Sequence, residues 1–247
     1  MTAPEHFHES DPTGLQTLER FEKARNFNRW LYDTIAPWCK GHILETGSGI
    51  GNISTFFLQQ QFQLTVSDLR SEYLVLLQQK FGHYPNLAGI VSIDLVDPVF
   101  DTRYAAHLQQ YDTIVALNVI EHIENAPQAI QNCKKLLRTG GNLVILVPAY
   151  RFLYNPFDEE LGHYTRYTAH SLRQLLQSQH LEVIHQQYFN VAGIPGWFFN
   201  GTVLRKRLIP DTQLQLFNKL IPVIRLADTI TFHSIGLSVI GIARKTD

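Results

Sequence analysis

Apolar positions along the chain fall into short runs that alternate with helical patterns. The runs 42–46, 62–67, 88–93, 111–117 and 142–147 are apolar and largely β-branched or aromatic, which predicts strands. Between them, residues 51–60, 71–81 and 126–138 read as helices. Gly140-Gly141 punctuates the last of these helix–strand junctions. Regular alternation of this kind predicts right-handed βαβ units and a parallel sheet with helices on both faces.

Upstream, residues 1–14 are polar, carry Pro4, Pro12 and Gly14, and read as a loose arm. Residues 15–38 read as one helix, with Leu18, Phe21, Phe27, Trp30, Leu31 and Ile35 near helical spacing and Pro37 closing it. Residues 1–38 are therefore expected to cover the pocket of a main domain spanning 39–247. Beyond residue 147 the rhythm changes. Residues 148–167 read as a long aromatic loop, 168–180 as a helix capped by Thr168 or Ser171, and 181–189 and 235–244 as two more strands. An insertion, 190–234, separates those strands. It holds Gly193-Ile194-Pro195-Gly196, the aromatic group Trp197-Phe198-Phe199, the basic run Arg205-Lys206-Arg207 and a helix near 212–230. Pro222 is expected to kink or split that helix.

Composition narrows the class. Hydrophobic residues make up 45% of 247, enough for a full core, and charged residues only 17%. A net charge of −1 argues against nucleic acid as a partner. The balance is uneven, because residues 201–247 carry seven Lys and Arg against three Asp and Glu. No run of about 18 apolar residues is present to span a bilayer. The opening Met-Thr-Ala-Pro-Glu-His is polar and acidic, unlike a secretory signal. Cys39 and Cys133 are too few for a disulfide framework or a zinc site, and a reducing cytoplasmic setting fits. Eleven histidines occur without H-x-x-x-H spacing, so no metal is expected.

The chemistry concentrates at residues 43–51, Ile-Leu-Glu-Thr-Gly-Ser-Gly-Ile-Gly. Gly47, Gly49 and Gly51 let the backbone turn after a strand and lie against a ligand. Twenty-one residues after Gly47, Asp68 ends the next apolar run, where it can accept two ribose hydroxyls. The dinucleotide fingerprint G-x-G-x-x-G needs its third glycine at position 52, which is Asn52. An NAD-dependent oxidoreductase is thus the weaker alternative, and a non-catalytic cofactor-binding or partner-binding domain is another.

The E-x-G-x-G-x-G pattern with its later acid resembles the class I S-adenosylmethionine-dependent methyltransferases. The segments Leu117–Ile123, Leu136–Gly141 and Asp94-Leu95 are similar to that family's later motifs. Residues 158–168 resemble a D-x-x-L-G-H-x-x-R-Y-[ST] element of bacterial members, some encoded beside or fused to glycosyltransferases. The resemblance implies a Rossmann-like seven-stranded sheet, mostly parallel with the last strand antiparallel, plus a helical cap from the insertion. It also implies S-adenosylmethionine as cofactor, with S-adenosylhomocysteine as product. Glu45, Gly47, Ser48, Gly49 and Gly51 would surround its methionine and ribose. Asp68 and Leu69 would hold the ribose, and Asp94 and Leu95 the adenine. Asn118, Val119, Ile120 and His122 would line the methionine side. Methyl transfer is an in-line displacement, in which orientation can be worth about 7–11 kcal/mol. The acceptor is expected to be a small organic molecule, methylated at O or N, among Tyr32, Tyr150, Tyr154, Arg166 and Tyr167. His163 is placed to act as a base, its ordinary pKa lying near neutrality. The aromatics and cations of 190–234 point to an apolar or lipid-like acceptor, or to a contact with a membrane surface.

Overall fold

The computed structural model describes residues 12–206, 208 and 210–247. Most of the expected arm (1–11) and Arg207 of the basic run lie outside the described residues. The chain runs α1 (Pro12–Lys23), α2 (Arg25–Ile35), β1 (His42–Thr46), α3 (Ser54–Gln59), β2 (Gln63–Ser67), α4 (Ser71–Phe81), β3 (Leu87–Val91) and α5 (Phe100–Arg103). It continues with β4 (Tyr111–Leu117), α6 (Ala126–Leu136), β5 (Leu137–Pro148), α7 (Pro156–Leu161), α8 (Ala169–Ser178), β6 (Glu182–Phe189), α9 (Gly193–Trp197), α10 (Asp211–Ile230) and β7 (Ser238–Arg244). Seven strands form one sheet in the order β3-β2-β1-β4-β5-β7-β6. β7 runs antiparallel to both β5 and β6, and the remaining pairs are parallel.

Alternation along each strand builds two cores. Leu44, Ile114, Ala116, Leu143 and Ile145 face one side, where α6 and α8 contribute Ile130, Cys133, Leu172 and Leu176. Ile43, Val115, Val144 and Leu146 face the other, under Trp30, Phe57, Leu77, Ile221 and Ile224 of α2, α3, α4 and α10. A parallel sheet covered on both faces needs continuous apolar strands, and this one has them. The strand order reverses between β1 and β4, so the switch point lies at the carboxyl ends of these two strands.

The structure corrects several expected elements. The helix expected over 15–38 is two helices, broken at the buried Ala24, whose ψ of 56° leaves the helical region. Gly140-Gly141 does not separate elements. It lies inside β5, beside a register shift between Tyr111 and Thr113 that absorbs the irregularity. The loop 148–167 contains α7, opened by a capping box between Asn155 and Asp158. Pro222 does not split α10, which is continuous over twenty residues. Proline cannot donate to the Asn218 carbonyl four residues back. The Asn26 side-chain amide donates to that carbonyl instead, at 3.1 Å, and the Asn218 side chain accepts from the Phe27 N–H at 3.0 Å. The break is thereby converted into the seam between α10 and α2.

Candidate functional site

The carboxyl ends of β1, β2 and β4 open into a cleft of about 1400 Å³, larger than an ordinary small-molecule site of about 300–1,000 Å³. Room for two ligands follows. α1 and α2 close one side through Leu18, Phe21, Phe27 and Leu31, and the insertion closes another through Trp197, Leu214 and Phe217.

The glycine turn forms its floor. Gly47, Gly49 and Gly51 all hold positive φ, at 65°, 54° and 80°. A Cβ on Gly47 would meet the Val119 side chain at 2.4 Å, and one on Gly49 would meet Leu18 at 2.9 Å. Gly51 turns away from the cleft, and its missing Cβ admits the Phe81 ring. Glu45 ends β1 buried, accepting from the Ser54 hydroxyl. Burial pushes its carboxyl up to about 7 against the hydrogen bonds of Ser54 and Ser48. Asp68 ends β2. Its carboxylate accepts from Gly49 N at 2.9 Å and Arg70 N at 3.1 Å, tying the second strand to the turn. Burial also raises the Asp68 carboxyl, opposed by those two N–H groups. Leu69, Asp94, Leu95, Asn118, Val119 and His122 complete the expected wall, together with Ser48. Asn118 takes a positive φ of 53° as the chain leaves β4, a conformation that asparagine tolerates.

Six expected positions do not line the cleft. Gly51 serves packing, as above. Ile120 is fully buried in the core on the α6 side. Tyr32 stacks on Phe56 and meets Phe57 edge to face, at centroid distances of 5.4 and 5.1 Å. Tyr150 stacks on Tyr188 and Phe152. Tyr154 donates its hydroxyl to the His163 carbonyl at 2.9 Å, and Tyr167 is a buried residue bridging Ala149 beside β5. Each aromatic had a stronger claim from its neighbours than from the cleft.

His163 and Arg166 do reach the cleft, but both are held by Asp158. His163 Nδ1 lies 2.7 Å and Arg166 Nε 2.8 Å from the same carboxylate oxygen. Arg166 also donates to the Ala149 carbonyl and lies 4.7 Å over the Trp197 ring. Burial alone would raise the Asp158 carboxyl, yet the hydrogen bonds from His163 and Arg166 win and hold it below its usual range. The two residues therefore fix the α7 loop as well as facing ligand space.

Spacing along the chain showed no metal cluster, but the fold gathers three side chains with potential donor atoms. Donor atoms of Glu121, His122 and His163 all lie within 4.8 Å of one another. Glu121 sits in the segment after β4, and β5 and α7 bring His163 back to it. The cleft also uses residues that helical periodicity marked only as apolar, notably Leu18, Phe21 and Phe27.

A family model described as a methyltransferase domain matches residues 16–186. A non-reducing polyketide synthase of Penicillium rubens is 32% identical over 112 residues, 42% of this chain and 4% of that protein. A hybrid PKS-NRPS synthetase of Talaromyces variabilis is 29% identical over 141 residues, 53% of this chain and again 4% of the relative. The chain thus spans a small fraction of the length of these relatives. Among solved structures, the Haemonchus contortus phosphoethanolamine N-methyltransferase 2, in complex with phosphomonomethylethanolamine and S-adenosylhomocysteine, superposes with a TM-score of 0.62 at 15% identity. That match covers 96% of this chain and 60% of the other. A SAM-dependent methyltransferase from Archaeoglobus fulgidus superposes at 0.59 with 14% identity, over 91% and 97%. Identities this low speak for the fold alone. The glycine turn, the switch-point cleft and a family match over most of the chain agree: this protein belongs to the methyltransferase-domain family.

Proposed function

We propose that this chain is an S-adenosylmethionine-dependent methyltransferase that methylates O or N of a small, apolar or lipid-like acceptor. The single observation that carries the reading is the joint placement of Glu45, the three-glycine turn and Asp68 at one end of the cleft. Glu45 and Asn118 face the methionine part of the cofactor. Asp68 spans its ribose hydroxyls, and Asp94 and Leu95 bracket the adenine. No pyrophosphate cradle is needed, because this cofactor carries none, and the absence of glycine at Asn52 fits that chemistry. The acceptor lies under Phe27, Phe189, Trp197 and Phe217, an apolar roof that excludes water from the sulfonium. The same insertion rests on an anionic membrane surface through the outer face of α10.

Calorimetric titration with S-adenosylmethionine tests the reading, and no heat at millimolar cofactor overturns it. Asp68→Ala removes two charged hydrogen-bond acceptors, each worth about 1.5–3 kcal/mol, so cofactor affinity falls at least about tenfold. An unchanged affinity rejects the ribose role. Transfer of a labelled methyl to hydroxyl, amine or carbon acceptors, resolved by product analysis, identifies the atom modified.

A further inference from the structure

Glu121 is a buried polar group left without a partner, and the cofactor does not supply one. Its side chain is fully buried, and neither carboxylate oxygen has a hydrogen-bond partner. Leaving such a group unpaired is costly, and native proteins pair buried carboxylates or give them to metals. The nearest guanidinium does not answer the need. Arg166 spends its Nε on Asp158 at 2.8 Å and another nitrogen on the Ala149 carbonyl at 2.9 Å.

Two imidazoles stand beside this carboxylate, with rings 4.7 Å apart and nearly perpendicular. His163 Nδ1 is engaged by Asp158, which leaves Nε2 as a lone-pair donor. A carboxylate behind a histidine is the arrangement that orients metal-bound imidazoles. The His122 ring stands beside the backbone of Leu161 and Gly162, where α7 ends. Both imidazoles line the cleft, whereas Glu121 lies behind them.

We propose that Glu121, His122 and His163 bind one divalent transition-metal ion, zinc or iron(II), at the wall of the cleft. Two nitrogen donors and one oxygen donor suit these ions, and disfavour magnesium and calcium, which prefer oxygen throughout. Donors on one ion at about 2.0–2.2 Å lie at most about 4.4 Å apart. The three donors already lie within 4.8 Å of one another, so a small side-chain adjustment closes the cluster. Three protein ligands leave positions open on the side of the cleft, which His122 and His163 line. An oxygen of the acceptor completes the sphere there, a role that rests on the methyltransferase reading.

The metal alone is the probe. Zinc chloride is titrated into the chelator-treated full chain without cofactor, against a competing chromophoric chelator. One equivalent is expected to bind, with affinity at least about tenfold weaker in His122→Ala and in the isosteric Glu121→Gln. Cobalt(II) is expected to give visible ligand-field bands that both variants lose. Circular dichroism verifies that the variants are folded, and Glu121→Gln serves should His122→Ala not fold. Absence of stoichiometric metal, or equal affinity in wild type and a folded variant, overturns the site. Cofactor binding is measured separately in chelator-containing buffer. A chain that binds S-adenosylmethionine but no metal rejects only this proposal, and one that binds metal but no cofactor rejects only the methyltransferase reading.

Discussion

Glu45 is only 4% exposed at the end of β1, and burial there shifts its carboxyl from 4.5 up to about 7. An acid that is weaker folded than unfolded keeps its proton more tightly in the folded state. Its contribution therefore lowers stability as pH rises from about 4.5 to about 7, and adds nothing further above that. The full shift corresponds to a difference on the order of 3 kcal/mol. Urea unfolding of wild type and Glu45→Gln at pH 5 and pH 7.5 is expected to show the penalty in the wild type and its loss in the variant. The cofactor turns the same group around. In the proposed placement, the cofactor ammonium beside Glu45 would favour the ionised carboxylate, so binding would expel the proton it holds below about pH 7. Affinity for S-adenosylmethionine is expected to weaken as pH falls below 7, with proton release visible as a buffer-dependent heat of binding. Identical heats in buffers of different ionisation enthalpy at pH 6.5 would mean that Glu45 does not titrate on binding.

At the scale of elements, a buried carboxylate pins the insertion to the end of β6, beside the apolar packing of Ile221 and Ile224. Asp228 of α10 is fully buried, and it accepts from Asn190 N at 2.6 Å and Val191 N at 2.8 Å where β6 ends. Burial raises its carboxyl against those two donors. Asp228→Ala strands both N–H groups, at about 1–3 kcal/mol each. Hydrogen exchange is expected to accelerate over 190–203 and α10 while β4 keeps its protection. Uniform acceleration across the molecule would instead mean that the cap unfolds only with the sheet. The elements legible in the sequence are those set by local periodicity. All seven strands and the helices expected at 71–81, 126–138 and near 212–230, found at 71–81, 126–136 and 211–230, follow from apolar spacing, and the cap at Thr168, one of the two expected, from its hydroxyl. The illegible parts depend on distant partners. Ala24 breaks a helix without glycine or proline, because α1 and α2 must turn across the cleft. Pro222 is tolerated because Asn26, far away in sequence, takes up the carbonyl it cannot serve. Within the site, the turn and Asp68 were legible because each sits at a strand end, where side-chain type and position are coupled. Tyr32, Tyr150, Tyr154 and Tyr167 were not, since an aromatic serves a core as readily as a ligand. The Glu121–His122–His163 group was invisible because β5 and two helices, α6 and α7, separate His163 from the adjacent Glu121 and His122 along the chain.

For the whole molecule, the question is why α10 is apolar on two sides. Its inner face carries Leu214, Ile221 and Ile224 onto the body of the protein, and Leu214 and Phe217 onto the cleft. Leu216, Leu220, Val223 and Ile230 recur at three-, four- and seven-residue steps on its outer face, all exposed. A helix apolar around its circumference is expected to be covered on both sides. Among the described residues, no helix is long and apolar enough to cross a membrane, so coverage by a bilayer means lying along it. Lys219 is exposed beside this stripe on α10 and complements anionic headgroups. A lipid-like acceptor entering beside α10 would pass directly from the bilayer to the aromatic roof of the cleft. Each outer side chain contributes about 1.5–3 kcal/mol when taken out of water. Leu220→Glu with Val223→Glu should therefore weaken binding to phosphatidylserine-containing vesicles at least about tenfold. Vesicle flotation of wild type and the double variant measures this, with phosphatidylcholine vesicles expected to retain less wild-type protein than the anionic ones. Cofactor affinity serves as the control, since neither residue lines the cleft. Should wild type stay unbound and sediment as a dimer that the double variant breaks, the outer face of α10 joins two copies of the chain and the membrane contact is wrong.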